Sequence, residues 1–247
     1  MAWITMAWRE TLRIFMCYKN SSTSKDMDLR ELQQLVARGE GMRLEFKRKA
    51  ADPVKIMREV VAFANSEGGD LLIGVSDDGS IPGLKYPEEE AFVLDQAIQK
   101  YCRPMVQYTK QIIPLNRKKS VLRYHIKSNP VKPVFLLYNL KKQRGKAYIR
   151  LADKSIQSSR EVREILKARS RDIATLLQYG QLEQFILRYL SQNEQVNVET
   201  FMKLANISYL QASDTLVKLT LSDVLELHPG DLTDYYTLKE PDPMVSA

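Results

Sequence analysis

The sequence predicts an α+β protein: a mixed sheet with flanking helices over residues 27–170, then a small helical domain closed by a hairpin over 171–240. Three observations predict it. A strand–helix–strand unit punctuated by glycine runs from Gly39 to Gly83 (GEGMRLEFKRKAADPVKIMREVVAFANSEGGDLLIGVSDDGSIPG). Segments of strand character follow it as far as Leu151. Beyond Ser170 the apolar residues recur at helical spacing and the charge balance changes sign.

Each element has a local reason. Asp28 can cap a helix through about Ala37, with Leu29, Leu32 and Leu35 on one face and Gly39 as its stop. MRLEFKRK alternates, with Leu44 and Phe46 facing one way and Glu45 and Lys47 the other, which predicts a half-buried strand. Asp52-Pro53 opens a helix with proline in its first turn. That helix carries Ile56, Val60, Val61, Phe63 and Ala64 and ends near Asn65, where Gly68-Gly69 makes a turn. LLIGV is a short apolar strand, and DDGSIPG is turn chemistry. A helix follows over 88–101, then strands over 106–113, 120–127, 134–140 and 147–151. Lys141–Lys146 reads as a polar loop. Ser158 or Ser159 caps a helix to about Lys167.

The remainder supplies three amphipathic helices. Leu182, Phe185, Ile186 and Tyr189 mark the first, and Val198, Phe201, Met202 and Leu204 the second. The third runs over 209–220. Two short strands at 225–227 and 235–238 complete a winged helix-turn-helix pattern. Residues 241–247 read as a tail. Arg9, Glu10 and Arg13 interrupt the apolar run that a signal peptide needs, so residues 1–26 read as a short added helix or, favoured because Met27 opens directly into a helix signal, as an extension ahead of a start at Met27.

Composition narrows the function. The chain of 247 residues is 44% hydrophobic and 27% charged, which fits a globular protein with a real core. Its two cysteines, Cys17 and Cys102, exclude a disulfide scaffold and fit a reducing cytoplasm. No stretch approaches the roughly 18 uninterrupted apolar residues of a membrane span. Net charge is +7, unevenly spread. Residues 27–170 hold 28 Lys and Arg against 17 Asp and Glu, whereas 171–247 hold 5 against 11. The excess peaks over 104–170, with 17 cations against 3 acids. A field of that sign attracts a polyanion, with nucleic acid the obvious partner.

Three phrases in order resemble the Schlafen-type AlbA domain of bacterial regulators and Schlafen proteins. They are the Glu40-x4-Glu45 pair within GEGMRLEFK, AFANSEGG at 62–69 and LLIGVSDDGSIPG at 71–83. In the Schlafen branch the resemblance implies a metal-dependent endoribonuclease with three acidic residues. By position these are Glu40, Glu45 and Asp77, with Asp78 an alternative ligand, holding Mg²⁺ or Mn²⁺ to stabilise charge on the scissile phosphate. Schlafen proteins carry two such lobes. This chain carries one, so a homodimer would supply the second. Some relatives bear an ATP-binding label, but no G-x4-G-K-[ST] string exists here, and ATP is not expected.

The same residues have plainer readings. Glu45 can pair with Lys47 or Arg58, and Asp77-Asp78-Gly79 is ordinary turn chemistry. Lys47, Arg48 and Lys49 could contact phosphate. Arg117, Lys118 and Lys119 form a second basic turn, and Lys141, Lys142, Arg144 and Lys146 a third that could clamp a backbone. Tyr124, Tyr138 and Tyr148 could stack on bases or pack in the core. The acidic C-terminal domain is repelled by phosphate, so it is expected to contact protein rather than DNA. The leading expectation is nucleic-acid binding by the first domain, with or without RNA cleavage. A non-catalytic dimeric DNA-binding transcriptional regulator and a protein-interaction adaptor are the alternatives.

Overall fold

The structure, a computed structural model, describes residues 26–172 and 180–240. The expected N-terminal extension (apart from Asp26), residues 173–175 of the stretch 170–175 that the change in charge balance marks as the seam between the two domains, and the tail lie outside them. Among the described residues no helix is long and apolar enough to cross a membrane.

Helix α1 (Leu29–Val36) begins with a reciprocal cap. The Asp28 carboxylate accepts from the Glu31 N–H at 2.8 Å, and the Glu31 carboxylate accepts from the Asp28 N–H at 2.9 Å. Two donors that a helix start leaves over are thereby filled. Strand β1 (Leu44–Lys47) leads through α2 (Pro53–Asn65) to β2 (Gly69–Ile73). Asp52 caps α2 by accepting from the Lys55 N–H at 3.1 Å. At the turn into β2, Gly68 has φ +82°, and a Cβ there would sit 2.6 Å from the Ile126 carbonyl oxygen, so only glycine fits. Then come α3 (Pro87–Tyr101), β3 (Cys102–Arg103), β4 (Tyr108–Asn116), β5 (Lys119–Ile126), β6 (Phe135–Asn139), β7 (Arg144–Lys146), β8 (Tyr148–Leu151), β9 (Lys154–Gln157) and α4 (Arg160–Ser170).

The main sheet has the order β1-β2-β5-β4 and is mixed: β1 and β2 are parallel, while β5 runs antiparallel to both β2 and β4. Parallel neighbours need a crossover, which α2 supplies. One face packs Leu71, Ile73, Leu122 and Tyr124 against α2 and α3. The other packs Leu44, Phe46, Leu72 and Val121 against Leu32 and Val36 of α1. A three-stranded antiparallel sheet, β3-β6-β7, and the hairpin β8-β9 flank this sandwich. The buried Asn65 amide stitches them to α2, donating to the Val134 and Tyr148 carbonyls at 2.9 Å and accepting from the Val134 N–H at 2.6 Å. An amide satisfied three times fixes the end of α2 where an apolar residue would leave those groups unpaired.

Three local expectations change. Strand β1 is buried on both faces, because Glu45 is only 6% exposed. Part of the expected 141–146 loop is strand β7, and β9 had no alternating pattern to betray it.

Beyond residue 179 the chain forms α5 (Gln181–Leu190), α6 (Val198–Ala205), α7 (Tyr209–Leu221) and the antiparallel pair β10 (Leu225–His228) and β11 (Tyr235–Leu238). Val196 bridges Tyr236. Their core gathers Ile186, Phe201, Leu216, Leu219 and Tyr236. Helix α7 also docks on α4. Glu161, 3% exposed, accepts hydrogen bonds from Tyr209 Oη at 2.8 Å and from Ser213 Oγ, and Arg160 pairs with Asp214 at 2.8 Å. Glu161→Ala would leave two hydroxyls without their acceptor. Urea unfolding should then show a loss of about 1–3 kcal/mol, and Glu161→Gln, which keeps an acceptor oxygen, should lose less.

Candidate nucleic-acid interface

Parallel pairing of β1 and β2 sends both strands out at one edge of the sheet, and β5 enters from that edge. Three segments distant in sequence therefore meet there: Lys47–Lys49, the turn 74–83, and the β4–β5 hairpin with Arg117, Lys118 and Lys119. Backbone bonds tie them together. The Gly74 N–H donates to the Lys47 carbonyl at 2.7 Å, and Leu84 and Ser120 exchange bonds of 2.7 and 3.0 Å. Lys119 Nζ donates to the Pro82 carbonyl at 2.7 Å. Arg48, Asp77, Asp78, Ser80 and Pro82 line one cleft at this edge. Arg48, Lys49, Arg117, Lys118 and Lys119 are exposed, and none forms an ion pair with a described residue.

The acidic residues sit differently. Glu40 accepts from the Phe46 N–H at 2.8 Å. Burial raises its pKa, the negative charges of Glu45 and Asp77 raise it further, and the Phe46 bond and Lys47 oppose them. The three carboxylates thus share one field. Asp77 is exposed. Asp78 accepts from the Ser80 N–H at 2.9 Å, and its bonds from Ser80, with help from the charge of Arg48, hold its pKa below the usual carboxylate range.

Glu45 is already engaged. One carboxylate oxygen pairs with Lys47, and the other accepts from Arg150 Nη1 at 2.9 Å. Arg150 has a fully buried side chain. It also reaches Glu59 at 2.8 Å, Ser155 Oγ at 3.1 Å and the Gly41 carbonyl at 2.6 Å, and it lies 4.8 Å from the centre of the Phe63 ring. Among the described residues no group of three His, Cys, Asp or Glu could hold a metal ion. A divalent cation needs several free oxygens converging on one point, and with Glu45 engaged the residues as arranged do not fit one.

Arg150 was not singled out by sequence. The signal available was one charge inside the apolar phrase AYIRL, a position where arginine is buried only with partners. Arg58, the other candidate partner for Glu45, instead lies over the Tyr148 ring at 5.3 Å. Tyr124 belongs to the core, with its hydroxyl donating to Asp95 at 2.8 Å and lying 3.0 Å from the Ala91 carbonyl oxygen. Tyr138, by contrast, is 66% exposed. Lys141, Lys142, Arg144 and Lys146 are exposed on the β6–β7 hairpin, and Lys146 lines a second cleft with Glu45, Arg58, Tyr148 and Lys154. His125 joins Arg123 on Asp70, at 3.0 and 2.7 Å, a cluster the spacing of single histidines did not reveal. The Cys102 thiol is pushed up to about 12 by burial, which removes it as a nucleophile.

Two measurements check these electrostatics. Arg150→Met strands Glu45 and Glu59 without their buried partner, and urea unfolding should show a loss of about 3–5 kcal/mol. A loss below about 1 kcal/mol would contradict the ion-pair geometry. Glu40 binds its proton more tightly folded than unfolded, so its contribution to stability falls as pH rises from the ordinary carboxylate range through the raised folded value. Glu40→Gln, which still accepts from Phe46, should therefore raise Tm at pH 7, and the gain should shrink as the pH is lowered toward 4.

Residues 40–159 match the family described as Schlafen, AlbA_2. Among solved structures, the N-terminal domain of a RecG-related protein from Nitrosomonas europaea is 22% identical, with 55% of this chain and 94% of that one covered at a TM-score of 0.38. The DIP2311 protein from Corynebacterium diphtheriae is 15% identical, with 85% of this chain and 38% of that one covered at a TM-score of 0.42. At those scores neither likeness bears on function. The family match spans the segment that contains all three phrases seen in the sequence, and residues 40–159 are a Schlafen AlbA_2 domain.

Proposed function

We propose that residues 27–170 bind nucleic acid, capturing the phosphate backbone along the basic edge of the main sheet. The observation that carries this reading is the gathering of Arg48, Lys49, Arg117, Lys118 and Lys119 at one end of the sheet, exposed and in no ion pair with a described residue, although the charge of Arg48 is felt by Asp78. Cations spread at random over a surface would not be gathered by strand order. Membership of the Schlafen AlbA_2 family supports a nucleic-acid-binding role. Lysines there act as point charges, and the arginines can grip phosphate through two N–H groups.

The C-terminal unit, which we read as winged-helix-like, is assigned no phosphate contact. Residues 171–247 hold 11 acids against 5 cations. Its third helix, the one that would enter a groove, is occupied by α4 through Glu161 and Arg160. A role in dimerisation or protein contact suits it better.

A second reading, metal-dependent cleavage of RNA through Glu40, Glu45 and Asp77, has one observation in its favour. Burial is the main cause of the raised Glu40 pKa, and the charges of Glu45 and Asp77 add to it, a repulsion that a cation would relieve. It requires Glu45 to leave Arg150 and Lys47. Loss of activity in Glu45→Ala would be ambiguous, since that change breaks a buried ion pair. Asp77→Asn, at an exposed position, is the cleaner variant.

Filter binding of duplex DNA, tRNA and single strands at several salt concentrations tests the first reading. Arg117→Ala/Lys118→Ala/Lys119→Ala should weaken every substrate. It should also flatten the log K against log salt slope, by about 0.9 for each phosphate no longer neutralised in duplex DNA and about 0.7 in single strands. An unchanged slope would reject the basic edge. In the same tubes, RNA cleavage that requires Mn²⁺ and disappears in Asp77→Asn would establish the second reading, and intact RNA would exclude it.

A further inference from the structure

No Asp or Glu occurs between Asp95 and Asp153, a stretch that holds 14 Lys and Arg. Within it the β6–β7 hairpin projects four cations, Lys141, Lys142, Arg144 and Lys146, all exposed. None of the four pairs with a described carboxylate. Unlike the edge cations, these accompany exposed apolar groups: Tyr138 is 66% exposed and Leu140 38%. Leaving a tyrosine ring in water forgoes the burial it would gain in a core, as Tyr124 does on β5.

The backbone explains why Tyr138 stands out. Leu137 pairs with Gly145 and Asn139 with Arg144, so Tyr138 is the additional residue of a β-bulge. A bulge leaves its extra residue outside the ladder and re-aims its side chain. Opposite Leu137, Gly145 can carry no side chain, because a Cβ there would lie 2.7 Å from the Leu136 carbonyl oxygen. The ring therefore stands outside the ladder, with cations after it in the chain.

We infer that the β6–β7 hairpin is a contact for single-stranded nucleic acid, with Tyr138 stacking on an unpaired base and Lys141, Lys142, Arg144 and Lys146 taking the flanking phosphates. This rests on the nucleic-acid reading above and adds the strandedness of the ligand. A paired base is stacked on both sides and offers a surface ring nothing but phosphate and sugar, whereas an unpaired base presents its π-face to an aromatic ring. Phosphate capture alone needs the cations and gives the tyrosine no purpose.

The test uses the full chain and fluorescein-labelled 20-mers, single-stranded RNA, single-stranded DNA and the matching duplex, at fixed salt. Tyr138→Ala should weaken single-strand binding roughly 5- to 150-fold, the range for removing one base stack, while duplex binding changes less than about twofold. Tyr138→Phe, which keeps the ring, should bind single strands like the parent protein. Equal losses for duplex and single strands would overturn the inference in favour of a ribbon that enters a duplex groove. No loss for any substrate would overturn it too. If Tyr138→Ala has no effect while the Arg117–Lys119 variant fails to bind, the basic edge stands and the hairpin contact falls. If the parent protein retains none of the three, both fall.

Discussion

The buried guanidinium of Arg150 is the constraint on which the arrangement around β1 depends. It joins Glu45 on β1 and Glu59 on α2 to Ser155 on β9, about a hundred residues further along the chain. A charge this deep costs several kcal/mol to desolvate, and only partners that neutralise it and fill its donors make the position tenable. Its Nε nevertheless finds no acceptor, so the network is held by the two terminal nitrogens and the Phe63 ring. That geometry fixes β1 against α2 and so sets where the chain leaves the sheet at Lys47.

From that exit point the basic edge follows by topology. Parallel strands end together, and an antiparallel neighbour begins where they end. Arg48, Lys49 and the Arg117–Lys119 turn thus lie at the same end of the sheet although about seventy residues separate them. The acidic turn at Asp77-Asp78 sits among them and tempers the field, with Asp78 held ionised by Ser80 and Arg48. Of the Glu40, Glu45 and Asp77 carboxylates, which the family resemblance implies as ligands, Glu45 has a structural role that any catalytic claim must first separate.

Much of the fold was legible in the sequence because its signals are local. Asp28 and Asp52 announced their helices, the serine pair 158–159 announced a third, and Asp28, Asp52 and Ser159 are the caps. The helical spacing of Ile56, Val60 and Phe63 marked a core face. What escaped was non-local. Alternation placed Glu45 on a polar face, yet β8 and β9 cover that face and bring Arg150 with them. The KKQRGK phrase reads as a loop because it has no apolar residue, but its last three residues gain strand form by pairing with β6. Tyr124 and Tyr138 look alike in sequence, each in a strand among cations. Only the sheet order buries the first, and only a bulge exposes the second.

The central claim is that the edge of the AlbA-type sheet, and not the C-terminal unit, meets the phosphate backbone. Hydrogen–deuterium exchange on the full chain, with and without a saturating oligonucleotide, measures this most directly. The expected result is slowed exchange at residues 47–49 and 116–120, with α7 unchanged. Slowing confined to α7 and the β10–β11 turn, with the sheet edge unaffected, would contradict it.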